Sequence, residues 1–289
     1  MTAYRIDRID LDSGWRDQVA AVVGDAFSMA PSEAIAAILL TTTTSGPHPS
    51  AYFAAVENDE IIGFNAFIAH DLRFKDRSVL AFQSCWTATS SAHRGKKVFQ
   101  NIILEAHRVL AAEGASYVIG WPNPTSEPLF VNKLGYRREA SVKRNIPGLF
   151  AERFFQSTEL VAQGITQNDE QLIELKSRRH ADKLHVVREG NSILWGVVRE
   201  KRTKLGRIPY FAVGGIRWST EGGARRLATA MRKQLPFVAF WQIISEHRNS
   251  INPAIGAFSS SSTNPLIWYP LCDDAQGPFD FFAGIRDVY

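Results

Sequence analysis

The chain is poor in sulfur, with two cysteines, Cys85 and Cys272, and three methionines among 289 residues. Two thiols build neither a disulfide framework nor a cysteine zinc site, so both are expected to be free and no metal is expected. Long apolar runs are also missing: Ala34 to Leu40 and Pro236 to Trp241 fall far short of the ~20 residues needed to cross a bilayer. The opening stretch, MTAYRIDRIDLDSGWRDQVA, mixes charges of both signs and has no apolar core or small-residue cleavage site of the secretory kind. The cytoplasm is therefore the expected compartment. No block of like charge appears either, and the surplus of +4 is spread along the chain. The densest basic stretches, KSRRH (Lys176 to His180) and REKRTK (Arg199 to Lys204), are read as solvated faces, and nucleic acid is not the expected partner.

What is present belongs to a globular protein. A hydrophobic share of 45% against 21% charged excludes a disordered chain. At roughly 150 residues per domain the length suggests two domains, each large enough to bury a core. The spacing of Val19, Val22, Val23, Phe27, Ile35 and Ile38 predicts two helices separated near Pro31. AYFAAVENDEIIGFNAFIAHDLRF reads as a strand hairpin turning at Glu57 to Glu60, followed by a strand over Ser78 to Thr89. A loop containing HRGKK then enters a helix whose apolar face carries Phe99, Ile102, Ile103, Ala106, Val109 and Leu110 and which stops at Gly114. SYVIGW is a buried strand, and WPNPTS opens a short helix ending in KLGYRR.

The second half alternates in the same way. ILWGVVRE and IPYFAVGGIRW read as strands, GGARRLATAMRKQL as a helix and PFVAFWQIIS as a buried strand, while SSSST (Ser259 to Thr263) reads as a loop. Trp195, Tyr210, Phe211, Trp218, Phe237, Phe240 and Trp241 are expected to pack its core. The polar stretch Gln163 to Glu170 marks the boundary, giving domains of 1–162 and 163–289.

The order strand, HRGKK, amphipathic helix, strand, NP, KLGY carries the chemistry. Over about Ala51 to Arg138 the chain resembles the GNAT acetyltransferase superfamily, whose RxxGxG segment holds the coenzyme A pyrophosphate. Arg94, Gly95, Lys96, Lys97, Val98 and Phe99 fall on those six positions. A loop at a helix N-terminus offers unpaired backbone N–H groups to phosphate oxygens, aided by the helix dipole and nearby cations. Lys97 replaces the first glycine of the motif and Phe99 the second; a large residue at the latter position resembles a branch associated with surface-sugar biosynthesis. The resemblance implies a mixed α/β fold of GNAT type, in tandem if the second half is a diverged copy. It also implies acetyl-CoA or another acyl-CoA as co-substrate.

The same resemblance implies a bulge or splay at the end of the strand through Thr87 and Thr89, where the pantetheine arm pairs with the backbone, with Asn123 and Ser126 near that arm. A polar turn capping the next helix explains the last two equally well. Acyl transfer needs an amine that loses its proton, a polarised thioester carbonyl and an acid for the departing thiolate. The position where the family often carries a tyrosine acid is Val131, and Tyr136 is read as packing. On the strand, Ala81, Gln83 and Cys85 share a face, making Gln83 and Cys85 candidate cleft residues. The catalytic groups are not assigned: Glu57, Asp71, a water relay or a group from the second half are the candidates for the base, and His93 is a loop histidine. The expected activity is transfer of acetyl to a primary amine of a small molecule such as an amino sugar. Two rivals are a non-catalytic GNAT-like module and a Fem-type aminoacyl-tRNA-dependent transferase, which would bind tRNA at low salt.

Overall fold

The computed structural model describes residues 4–155, 164–245, 259–261 and 264–281, apart from the single positions 45, 76, 205, 276 and 278. The N-terminal elements are β1 (Arg5–Ile9), α1 (Arg16–Phe27), α2 (Pro31–Thr42), β2 (Ala51–Glu57), β3 (Glu60–Phe74), β4 (Arg77–Thr89), α3 (Val98–Ala112), β5 (Tyr117–Gly120), α4 (Glu127–Leu134), β6 (Arg137–Glu139) and β7 (Val142–Pro147). After the 3-10 segment Gly148–Phe154 come β8 (Ile165–Thr166), α5 (Asp169–His180), β9 (Leu184–Glu189), β10 (Ser192–Thr203), β11 (Gly206–Arg217), α6 (Gly223–Gln234), β12 (Phe240–Ser245), β13 (Ser259–Ser261), β14 (Leu266–Pro270) and β15 (Phe279–Asp280). The fold is mixed α/β, as the alternation of periods in the sequence predicts.

Two sheets organise the molecule. The first runs β1-β2-β3-β4-β5-β14-β6 and the second β13-β7-β12-β11-β10-β9. Each contains the same unit: a three-stranded antiparallel meander, a crossover helix, and a strand parallel to the last of the meander. In the first sheet this is β2-β3-β4-α3-β5 and in the second β9-β10-β11-α6-β12, with β4–β5 and β11–β12 the parallel pairs. The second half is thus a topological copy of the first.

The closing strands are exchanged. β14, from the C-terminal side, is antiparallel to β5 in the first sheet, and β7, from the N-terminal side, is antiparallel to β12 in the second. The expected boundary at residues 162 and 163 lies outside the described residues, and this exchange runs across it in both directions.

The core of the first sheet is split by the sheet itself. One face carries Phe67 and Phe82 against Ile102, Ile103 and Leu110 of α3, while the other carries Phe64, Ile68, Cys85 and Trp86 against Val19, Val23 and Ile38 of α1 and α2. Each such large side chain contributes ~1.5–3 kcal/mol by leaving water. In the second sheet Leu227, Ala228 and Met231 of α6 pack on Leu194, Phe211 and Trp241. The periodicity placed α3 well: Ile102, Ile103, Ala106 and Leu110 are fully buried.

Several expectations are corrected. Lys176 is 2% exposed, because α5 lies against the first sheet and turns part of the basic run inward. Phe237 is 59% exposed because it sits in a turn, the strand starting only at Phe240. Ser259–Ser261 form an edge strand on β7, since backbone pairing needs no apolar side chain; Ser262 and Thr263 lie outside the described residues. No single helix among the described residues is long and apolar enough to cross a membrane, and α1 with α2, apolar enough as a pair, bend by 101° at their break.

Candidate active site

The site begins with a change of register. Between β3 and β4, Ala66 pairs with Cys85 and Phe64 with Ala88, so Asn65 alone faces both Trp86 and Thr87. This is a β-bulge, and Trp86 takes up the extra residue with φ +52°. Asn65, fully buried, holds the bulge: its Nδ2 donates to Ser84 Oγ at 3.1 Å and to the Ala66 carbonyl at 3.1 Å, and Thr87 Oγ1 donates to its Oδ1. The Trp86 indole donates to Thr41 Oγ1 at 2.6 Å and meets Phe27 edge-on with centroids 5.4 Å apart.

The neighbouring seam opens at the same level. β4 pairs with β5 only through Ala81, Phe82 and Gln83, opposite Tyr117, Val118 and Ile119. Beyond that, β4 continues to Thr89 without a parallel partner, leaving a wedge between Ser84–Thr87 and Gly120–Asn123. A cavity of about 440 Å³ occupies it, lined by Phe99, Leu129 and Phe130 on the α3 side and by Phe27, Cys85 and Trp86 on the α1/α2 side. Since these walls belong to the cores on opposite faces of the sheet, the cavity passes through the sheet.

A second cavity, of about 290 Å³, shares Phe99 and Leu129 with the first and is lined by Thr89, His93, Arg94, Gly95, Lys97 and Val98. Here α3 begins. Gly95 has φ +79° and Lys97, the N-cap, has φ +60° and ψ +15°, so lysine adopts the left-handed conformation usually left to glycine. Gly63 of β3 lets the helix start close to the sheet, as a Cβ there would stand 2.6 Å from Val98 Cγ1. Arg94, Lys96 and Lys97 are exposed and make no ion pair among the described residues. The loop is braced by Tyr4, whose hydroxyl donates to the Lys96 carbonyl at 3.4 Å and accepts from Asn101 Nδ2 at 2.7 Å. His93 Nε2 lies 3.1 Å from Glu57 Oε2.

The structure therefore gathers most of the expected residues along one path. Thr89, Arg94, Gly95, Lys97, Val98 and Phe99 line the outer cavity, Lys96 stands on its loop, and Thr87, Cys85, Asn123 and Ser126 line the inner one. Asn123 also folds the turn, its Oδ1 accepting from the Thr125 and Ser126 amides at 3.1 and 2.9 Å. Gln83 stands apart, buried below the wedge with its Oε1 2.9 Å from His70 Nε2. Cys85 is a buried thiol whose Sγ points at the Ala66 carbonyl, and burial holds it protonated far above the ordinary thiol range. Of the candidate bases, Glu57 is engaged by His93 at the outer end and Asp71 by Gln171 on the far side of β3, so neither lines the inner cavity. Val131 packs against the α3 core, and Tyr136 is buried with its hydroxyl 2.8 Å from His107 Nε2. Among the described residues no group of three or more His, Cys, Asp or Glu gathers as a metal site.

The second unit places its charge differently, with Glu221 before the N-cap and Arg225 and Arg226 in the first turn of α6. Its helix starts at Gly222, φ +70°, after Thr220 and Glu221, and Arg226 folds back to the Glu221 carbonyl at 3.0 Å and to Glu189 at 2.6 Å.

Asn65, Trp86 and Tyr4 were missed by sequence reasoning; the one available signal was a lone asparagine in the apolar strand FNAF.

Residues 10–138 match the model of the acetyltransferase (GNAT) domain. Among solved structures, a probable N-acyltransferase of Enterococcus faecalis V583 is similar in fold, with TM-score 0.61 and 11% identity over 93% of this chain and 73% of the other. A GCN5-related N-acetyltransferase of Anabaena variabilis ATCC 29413 gives TM-score 0.62 at 9% identity, with the same coverage. A putative acetyltransferase of Pyrococcus horikoshii matches over 100% of this chain and 96% of its own, with TM-score 0.54 and 10% identity. No curated protein matches by sequence. The N-terminal unit thus matches a GNAT domain model, and the chain shares its fold with these solved structures.

Proposed function

We propose that the chain transfers an acyl group from acyl-CoA to a primary amine of a small molecule, by direct attack on the thioester. The carrying observation is the path from the cationic loop at the α3 N-terminus into the wedge between β4 and β5. In this reading the pyrophosphate rests on the backbone of Gly95 to Phe99 with Arg94, Lys96 and Lys97 supplying charge. Pantetheine pairs with β4 at Thr87 and Thr89 and passes Asn123 and Ser126. The bulge turns backbone N–H groups of β4 toward the thioester carbonyl, the kind of fixed dipole that stabilises a developing oxyanion. The amine attacks the carbonyl carbon, the C–S bond breaks, and the thiolate takes the proton the nitrogen gives up. With no carboxylate or imidazole among the described residues lining the inner cavity, water carries that proton.

Gln83 acts below the wedge as a support through His70. We place the protein in the cytoplasm and read it as two lobes that meet near residues 162 and 163, with β7 and β14 crossing between them, the second lobe a scaffold whose helix is preceded by Glu221 where the first has Lys96.

Calorimetric titration with acetyl-CoA tests the reading, using wild type and a Lys96→Glu/Lys97→Glu variant. The expected result is binding by the wild type and a loss of at least tenfold in the variant, as charge-assisted phosphate contacts are worth about 1.5–3 kcal/mol each. Absence of binding to wild type at millimolar cofactor overturns it and favours the non-catalytic module. Thioester turnover with a panel of amines, amino sugars among them, then identifies the acceptor.

A further inference from the structure

The inner cavity is apolar at its sheet-crossing end. Beyond Thr87, where the thioester carbonyl lies if the proposed function holds, the walls are Cys85, Trp86, Trp121, Ile267 and Phe27. Cys85 is kept protonated by burial and presents a small apolar surface. At the apex, Gly120 has no side chain, and a Cβ there would make ordinary contact with Ile267 Cγ1 at 3.7 Å and Cδ1 at 3.8 Å and with Ser84 O at 3.9 Å. The whole wedge, including the stretch at Thr87, Asn123 and Ser126 assigned to the pantetheine arm, has a volume of about 440 Å³, within the ~300–1,000 Å³ range of small-molecule pockets.

We infer that the acyl group carried by this site is an aliphatic chain longer than acetyl, lodged between β4 and β5 against Cys85, Trp86 and Ile267. The inference rests on the acyl-CoA reading and extends it to the donor's tail. The reaction is unchanged, because the chain lies on the far side of the carbonyl from the C–S bond that breaks. Burying aliphatic carbon gives about a fourfold gain in affinity per methylene as long as the chain meets wall rather than solvent.

The test is a calorimetric series on the full chain with CoA, acetyl-CoA, butyryl-CoA and hexanoyl-CoA. Hexanoyl-CoA is expected to bind at least tenfold more tightly than acetyl-CoA, with CoA weakest. Binding of CoA and all acyl forms with equal affinity, or a preference for acetyl, overturns the chain-length inference while leaving the acyltransferase reading in place. Failure of every member to bind overturns that reading instead. Gly120→Val and Cys85→Leu each fill the wedge from a different strand and are expected to abolish the gain with length. A gain preserved in both folded variants places the tail elsewhere and overturns the assignment. Should either variant fail to fold, the wild-type series decides alone.

Discussion

Lys97 shows how one side chain departs from its motif without breaking the geometry the motif requires. Its backbone occupies the left-handed region at a cost of roughly 1–2 kcal/mol relative to glycine, so a Lys97→Gly variant is expected to raise the melting temperature by a few degrees. The same variant loses one cation at the loop and should bind CoA several-fold more weakly, so calorimetry and thermal melting move in opposite senses. Asn65 makes the reverse case: Asn65→Leu strands Ser84 and Thr87 hydroxyls beside the bulge, and a loss of about 1–3 kcal/mol is expected in denaturant unfolding, with weakened acyl-CoA binding. Two buried histidines set an acid limit. Burial is the main cause that lowers both His70 and His107 to about 4, with nearby Lys176 and Arg179 adding to the effect at His70. Between that value and the unfolded value near 6.5 the unfolded chain holds more protons, so stability falls as pH drops from 6.5 to 4 and levels off below. Each histidine accounts for on the order of 3 kcal/mol of that fall. A His107→Gln variant, which keeps a hydrogen-bonding group beside Tyr136, should show a shallower slope in urea unfolding over the same range.

At the scale of the element, legibility followed the range of the interaction. The α3 face could be read from its spacing because a helix buries what recurs every third or fourth residue. The loop before α3 stands out in the sequence for the same reason, as its cations, glycine and helix start are contiguous, and in the structure Gly95 and Lys97 take positive φ. The bulge was expected near Thr87 from resemblance, yet its clamp, Asn65, lies on another strand and becomes visible only when β3 and β4 are put in register. Lys176 was misread because a basic run reads by itself as a solvated face, and nothing local says that one lysine stem turns inward. Gly95→Ala tests the loop as a unit. At φ +79° the added methyl is strained whatever the open space around it, so α3 should start less stably and CoA affinity should drop together with the melting temperature.

Across the whole molecule, the two copies of one unit are locked by their exchanged strands. β7 leaves the first half to finish the second sheet, and β14 returns from the second half to sit between β5 and β6. Separately produced fragments 1–162 and 163–289 are therefore each expected to be incompletely folded, with a strand position vacant in the sheet of each. Mixed, they should form a one-to-one complex with native circular dichroism, and independent folding of either fragment would contradict the exchange. Neither pairing was visible in the sequence, where β14 is a short apolar run like any other and nothing local says which edge it meets. The exchange also imposes a schedule on synthesis. Gly120 pairs with Ile267, so at the ~5–20 residues per second of translation the seam beside the wedge stays open for roughly 7–30 s after β5 has been made. During that interval the nascent chain carries an unpaired apolar strand edge in the middle of its first sheet, which makes this protein a natural client for whatever shields emerging chains from one another.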